Sequence, residues 1–199
     1  MSPYIETIRL EDGILKNLSY HQSRFERTRA GELGLETHPV LSEVIQIYKG
    51  MEKGLLKCRV TYGKEINRID FEPYTRHPAT SLKVVLSDSI FYGYKYQNRN
   101  ELEQLHKQRG SCDDILIVQR GFITDSFFAN VALWDGQDWV TPDTPLLPGT
   151  MRASLMEQGI LKSRTITLEN LAKFQSIKLI NAMNNLEEGI DIPVKSIVY

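Results

Sequence analysis

Residues Glu72 to Thr80, EPYTRHPAT, carry two prolines, few aliphatics and no hydrophobic periodicity, in the middle of a chain that is otherwise patterned. Such a stretch reads as a connection between domains. The expected organisation is an N-terminal domain over 1–75, a linker over 76–80 and a C-terminal domain over 81–199. At 199 residues the chain is long enough to build cores without a metal or disulfide staple.

Before the linker, Tyr4–Leu10 alternates as a strand, and Asp12-Gly13 turns the chain into a short strand around Ile14–Leu18. Ser19 is placed to cap a helix running to about Gly31. Pro39 is placed to start another, with Val40, Val44, Ile45 and Tyr48 on one face. Gly54–Tyr62 and Ile66–Phe71 read as a hairpin around Gly63-Lys64. After the linker, Ser81–Ser87 is a nearly continuous apolar strand and Asn98–Gly110 a helix. Ile115–Val118, Phe122–Ile123, Phe127–Trp134 and Trp139–Val140 are strands separated by Arg120-Gly121 and Asp135-Gly136 turns. Pro148-Gly149 opens a helix that Gly159 closes, Thr167 caps a further one, and Ile177–Asn181 and Ile192–Val198 close as strands. The class predicted is α+β, with a β-rich second half.

The charges nearly cancel, 24 basic against 25 acidic residues, so the chain has no electrostatic footprint for nucleic acid or an anionic membrane. The expected partner is a small molecule. The N-terminus, MSPYIETIRLEDG, shows no basic region followed by an apolar core, and no apolar run approaches a membrane span. Cys58 and Cys112 stand far apart without a CxxC companion, which fits reduced thiols in a cytoplasm. His21, His38, His77 and His106 lack metal-ligand spacing, so no metal site is expected.

Three stretches carry possible chemistry. Lys95 stands among Tyr92, Tyr94 and Tyr96; in a pocket, desolvation would lower its pKa from about 10.4 toward the 7–8 useful to a nucleophilic amine. From local sequence alone a solvated lysine in an aromatic loop is the commoner case, since most lysines are exposed. Leu147-Pro148-Gly149-Thr150-Met151-Arg152 leads straight into a helix, whose N-terminal amides could receive a phosphate that glycine lets approach. Most such helix starts bind nothing. Asp125, at the end of a strand with Asn130 five residues on, could hold a cationic ring nitrogen or merely cap a turn.

Together and in this order, these stretches resemble the class IV aminotransferase family of fold type IV pyridoxal-phosphate (PLP) enzymes. The resemblance begins at Thr7-Ile8-Arg9, Asp12-Gly13 and His21-Gln22-Ser23-Arg24-Phe25, similar to H-x-x-R-L. It continues through Lys95-Tyr96-Gln97-Asn98-Arg99, similar to K-x-x-N-R, and Gly121 to Asn130, similar to G-x-[VI]-T-E-x-x-x-x-N. Trp139-Val140-Thr141-Pro142, Leu147 to Arg152 (L-x-G-[IT]-x-R), Asn181-Ala182-Met183 and Ile192-Pro193-Val194 complete it. The resemblance implies two small α/β domains of D-amino acid aminotransferase-like architecture, with PLP in the cleft between them, and a cytoplasmic homodimer.

It also implies roles. Lys95 would bind PLP as a Schiff base and then act as general acid and base. Arg24, Thr150, Met151 and Asn181 would hold the phosphate, and Asp125, with Asn130 near it, would face the pyridine nitrogen. Asp125 stands where the family usually has glutamate, about 1.5 Å shorter. The chain also begins after the family's first strand and its D-R-G-x-x-x-G-D-G loop. K-x-x-N-R, with Asn100 in place of the tyrosine of branched-chain enzymes, favours the branch that converts 4-amino-4-deoxychorismate to 4-aminobenzoate and pyruvate for folate synthesis. The alternatives are an aminotransferase acting on D-amino or branched-chain amino acids, and a truncated non-catalytic homologue. Retention of Lys95, Arg24 and the Pro148-Gly149 helix start speaks against the last.

Overall fold

The computed structural model describes residues 3–76 and 78–199; Met1, Ser2 and His77, one of the four scattered histidines, lie outside the described residues. The chain forms two units. The first takes the chain up to Arg76 and the later segment Tyr94–Asn98. The second takes the remainder through Gly93 and then Arg99–Tyr199. The segment carrying Lys95 is thus built into the first unit although it follows residue 80 in sequence.

In the first unit, β1 (Tyr4–Glu11) turns through Asp12 and Gly13, both at positive φ, into β2 (Ile14–Leu15). Helix α1 (Leu18–Leu33) and a single turn, α2 (Leu41–Val44), precede β3 (Leu55–Tyr62) and β4 (Ile66–Pro73). The strands form one antiparallel sheet in the order β2-β1-β3-β4, with Tyr4 opposite Tyr62 and Glu11 opposite Leu55. One face of β1, through Tyr4 and Ile8, packs with Phe25 of α1 and Cys58, Val60 and Tyr62 of β3. The Tyr94–Asn98 segment extends this sheet: Ile5 donates its amide to the Lys95 carbonyl at 2.9 Å and Gln97 donates to Pro3 at 2.8 Å. Tyr96 lies against the ring of Tyr4, centroids 5.3 Å apart.

Both expected ends of α1 are corrected. The residue before its first turn is Asn17, in left-handed conformation with φ 53°, and Ser19 lies inside the helix. The helix runs past Gly31 to Gly34, whose φ of 65° lets its amide and that of Leu35 return to Ala30 and Arg29. Gly31 is needed for packing, since a Cβ there would stand 2.8 Å from the Tyr94 hydroxyl. The helix expected from Pro39 stops after one turn. Gln22 holds that turn by accepting from the Leu41 amide and donating to the Pro39 carbonyl, and Tyr48 is exposed instead of continuing an apolar face.

The second unit begins with β5 (Leu82–Leu86), α3 (Asn100–His106) with a 3-10 turn over Lys107–Arg109, and β6 (Asp114–Gln119). Then come β7 (Phe122–Ser126), β8 (Asn130–Trp134), β9 (Trp139–Pro142), α4 (Thr150–Glu157), β10 (Leu161–Arg164), β11 (Ser176–Ile180) and β12 (Ile192–Pro193). The sheet runs β10-β9-β8-β7-β6-β5, and β11 branches from β8 to pair with β12. Apolar side chains of β6, β8 and β11, including Leu116, Val131, Leu133 and Ile177, are wholly buried between these layers. Residues 127–129, expected as the start of a strand, are the turn between β7 and β8. Strand β10 went unforeseen because only Leu161 of its four residues is buried. Thr167 caps no α-helix: its side chain and that of Asn170 bond each other's amides, and the chain makes one 3-10 turn at Leu171–Lys173. No helix of the described residues is long and apolar enough to cross a membrane, and Cys58 and Cys112 are free thiols in buried positions.

Candidate active site

In the first unit, β1 carries a glutamate in its buried face. Glu6 follows Tyr4 and precedes Ile8 at the strand's period of two, so its carboxylate enters the layer beneath α1. A bare charge there would be prohibitively expensive, and α1 supplies the partners from one face at i and i+3, His21 and Arg24. Arg24 donates through Nε to Oε1 at 2.9 Å and through Nη2 to Oε2 at 2.5 Å, a two-pronged pair that fixes the guanidinium plane. His21 Nδ1 lies 2.6 Å from Oε2. Burial alone would raise Glu6, but the Arg24 charge and the bonds from His21 and Arg24 bring it down to about 2. Burial, with the positive charges of Arg24 and Lys95, drives His21 below its usual range against the pull of Glu6. His21 is therefore neutral at pH 7 and donates its Nδ1 hydrogen to an ionised Glu6.

Lys95 is half-buried in the same unit, its backbone fixed by Ile5 and its charge felt at His21. The structure thus brings together two of the residues singled out in the sequence, Arg24 and Lys95, around a pair that was not, Glu6 and His21. The sequence does hold a signal for Glu6. An acid at an inward position between Tyr4 and Ile8 must have a buried cation as its neighbour.

The second unit gathers Asp125, Asn130 and the start of α4. Asp125 and Asn130 face each other across β7 and β8, joined by Asn130 Nδ2 donating to Asp125 Oδ1 at 2.7 Å. The same amide donates to the Leu147 carbonyl at 2.8 Å, and the Leu147 amide returns to Asp125 Oδ2 at 2.9 Å. This closed ring ties the acid to the segment leading into α4. Burial pushes Asp125 up to about 6, against the hydrogen bonds of Leu147 and Asn130 and the charge of Arg152. Gly149 precedes α4 in extended conformation and supplies no side-chain cap. Its missing Cβ makes room for Asn130, since a Cβ there would meet Asn130 Oδ1 at 2.0 Å. Thr150 and Met151, the first two residues of α4, are buried. Asn181 closes the turn after β11, accepting from the amides of Met183 and Asn184 and donating to the Phe128 carbonyl at 3.3 Å.

Each unit carries groups suited to part of an anionic cofactor with a basic ring nitrogen. In the first, Arg24 is a buried cation oriented by Glu6. In the second, α4 opens on a residue without a side chain, leaving its dipole for a negative group. Asp125 accepts from the Asn130 side chain and from the Leu147 and Leu146 amides, and a carboxylate has about four acceptor positions, so capacity for a ring N–H remains. Among the described residues no grouping of histidine, cysteine and carboxylates could hold a metal ion.

This fold, carrying this set of residues, places the chain among enzymes of the class IV PLP type. The sequence profile described as Amino-transferase class IV matches residues 4–188, and the chain belongs to that family, which is PLP-dependent. An uncharacterized protein of Haemophilus influenzae is 37% identical over 188 residues, 94% of this chain and 100% of that protein. A Haemophilus somnus crystal structure, provisionally named a 4-amino-4-deoxychorismate lyase, is 37% identical with a TM-score of 0.89, over 94% of this chain and 98% of that one. A PLP-bound protein of Mycobacterium tuberculosis, named a hypothetical aminotransferase, shares the fold at 15% identity and TM-score 0.78, over 96% of this chain and 80% of that one.

Proposed function

We propose that this chain is a PLP-dependent lyase that converts 4-amino-4-deoxychorismate to 4-aminobenzoate and pyruvate. The observation that carries the reading is Lys95, half-buried and backbone-anchored at the head of the K-x-x-N-R block, within the unit that holds the Arg24–Glu6–His21 cluster. The provisional name of the Haemophilus somnus relative supports the lyase branch.

Bound PLP supplies an electron sink for the pair left when a proton leaves the carbon bearing the substrate amine. Lys95 would carry that group covalently and, with its amine free, would be the base that takes the proton. In the lyase reaction the proton leaves the ring carbon bearing the amine and the neighbouring ring carbon–oxygen bond breaks, so the ring becomes aromatic and the enolpyruvate released takes a proton on its methylene carbon to become pyruvate. By the family resemblance, Arg24 and the start of α4 at Thr150 and Met151 would hold the phosphate, with Asn181 shaping the turn beside Phe128. Asp125 would keep the ring nitrogen protonated, and Asn130 fixes the acid's orientation. The reading includes a cytoplasmic homodimer, supported by the small core of the first unit, and light scattering should give twice the chain mass.

Product analysis tests the reaction. Purified protein with PLP and 4-amino-4-deoxychorismate should release pyruvate and 4-aminobenzoate in equal amounts without an added amino acceptor. Turnover that appears only with an amino donor and a 2-oxo acid would assign the chain to the aminotransferases.

A further inference from the structure

The turn that joins Asp125 to Asn130 is held from outside by three polar residues that the proposed chemistry does not use. Ser126 and Ala129 close it, Ser126 donating its amide to the Ala129 carbonyl at 2.8 Å and Ala129 donating to Ser126 Oγ at 3.1 Å. Phe127, at its tip, is gripped on every side. Its amide donates to Asp114 Oδ1 at 3.3 Å, and its carbonyl accepts a short bond from Arg99 Nη2. Its ring stacks on His106, centroids 4.2 Å apart and planes 17° from parallel, and carries the Arg99 guanidinium 4.2 Å from its centroid. His106 Nε2 lies 3.8 Å from Asp114 Oδ1, which also accepts from the Ile115 amide at 2.7 Å.

This grip is costly. Asp114 is fully buried, and Asp114 Oδ2 and Arg99 Nε are buried without a hydrogen-bond partner among the described residues. A leucine or phenylalanine in such positions would avoid the desolvation penalty. Polar groups kept against that cost mark geometry that packing alone does not secure. The geometry at stake is the turn of residues 126–129, because its two ends are the facing pair Asp125 and Asn130. Arg99 and His106 stand at the two ends of α3 and Asp114 begins β6, so two rigid elements bear on one turn.

We propose that Arg99, His106 and Asp114 are positioning residues that clamp Phe127 and so hold Asp125 and Asn130 at their working separation. The inference rests on the reading of Asp125 as the cofactor-facing acid.

The test uses the full chain without cofactor, following the Asp125 carboxyl carbon by NMR. Arg99→Lys keeps the charge but cannot stack flat on the ring or reach the carbonyl with a planar fork. The Asp125 midpoint should rise from about 6 by roughly half a pH unit or more, as the bonds from Asn130 and Leu147 that hold it down loosen. Phe127→Leu, which removes both ring contacts and serves if Arg99→Lys does not fold, should move it the same way. Phe127→Tyr, which keeps the ring, should titrate as the wild type. An unmoved or lowered midpoint in a folded Arg99→Lys or Phe127→Leu chain overturns the proposal. The same variants should bind PLP about tenfold more weakly, a 1.4 kcal/mol loss. A wild-type chain that never binds PLP defeats the functional reading while leaving the titration result intact.

Discussion

Glu6 and Asp125 are both buried carboxylates that burial pushes up, and their neighbours outweigh that push at Glu6 but not at Asp125. Glu6 faces a full positive charge and settles near 2, whereas Asp125 is held chiefly by neutral amides and rises to about 6. Glu6, lowered from 4.5, contributes stability that is present above pH 4.5 and is lost as pH falls through 2, on the order of 3 kcal/mol. Asp125, raised from 3.8, works the other way. Its contribution is complete below pH 3.8 and is lost as pH rises through 6, also on the order of 3 kcal/mol. Denaturant melts of the cofactor-free chain against Asp125→Asn should therefore show a stability difference that changes between pH 4 and 6 and is flat above 7. A difference constant across that window would mean that Asp125 titrates normally. Glu6→Gln should cost about 3–5 kcal/mol at pH 7, because it strands the Arg24 charge in the core. Arg24 and Asp125 were legible in the sequence because each sits in a spaced motif. Glu6 was not, because one acid in an alternating strand looks like any other until the helix that covers it is known.

Helix ends show where local signals succeed and fail. Asn17 and Gly34, the true boundaries of α1, use left-handed backbone, while Ser19 and Gly31 match the usual end residues but lie inside the helix. Gly34→Ala should destabilise the chain by about 1 kcal/mol in chemical denaturation, since φ 65° burdens any Cβ. At α4 the sequence placed the helix start correctly, and the structure adds the Asn130 side chain as a reason for its glycine. Gly149→Ala would drive a methyl into the Asn130 amide, which is pinned by Asp125 and Leu147. The expected result is about 1–3 kcal/mol of lost stability and at least a tenfold weaker hold on PLP, measured by melting and by equilibrium dialysis. Unchanged values would mean that Asn130 can swing away freely. Strand β10 escaped notice because an edge strand with one buried residue has no apolar alternation to display.

At the scale of the whole molecule, the α+β class was readable from the pattern of elements and the family from motif order, because several short blocks in sequence constrain far more than any one. The placement of Lys95 was not. Four residues later in the chain, Arg99 belongs to the second unit, yet Lys95 is tied by backbone bonds to the first strand of the first. Only the pairing of Pro3 and Ile5 with that segment reveals it, and such long-range pairing leaves no periodic trace in the sequence. The account turns on Lys95 being the residue that carries the cofactor. The direct measurement is to load the protein with PLP, reduce it with borohydride and map the modified peptide by mass spectrometry. The account predicts one phosphopyridoxyl group per chain, on Lys95, with loss of the visible absorption band in Lys95→Ala. Attachment at another lysine, or a folded chain that takes up no PLP, would contradict it.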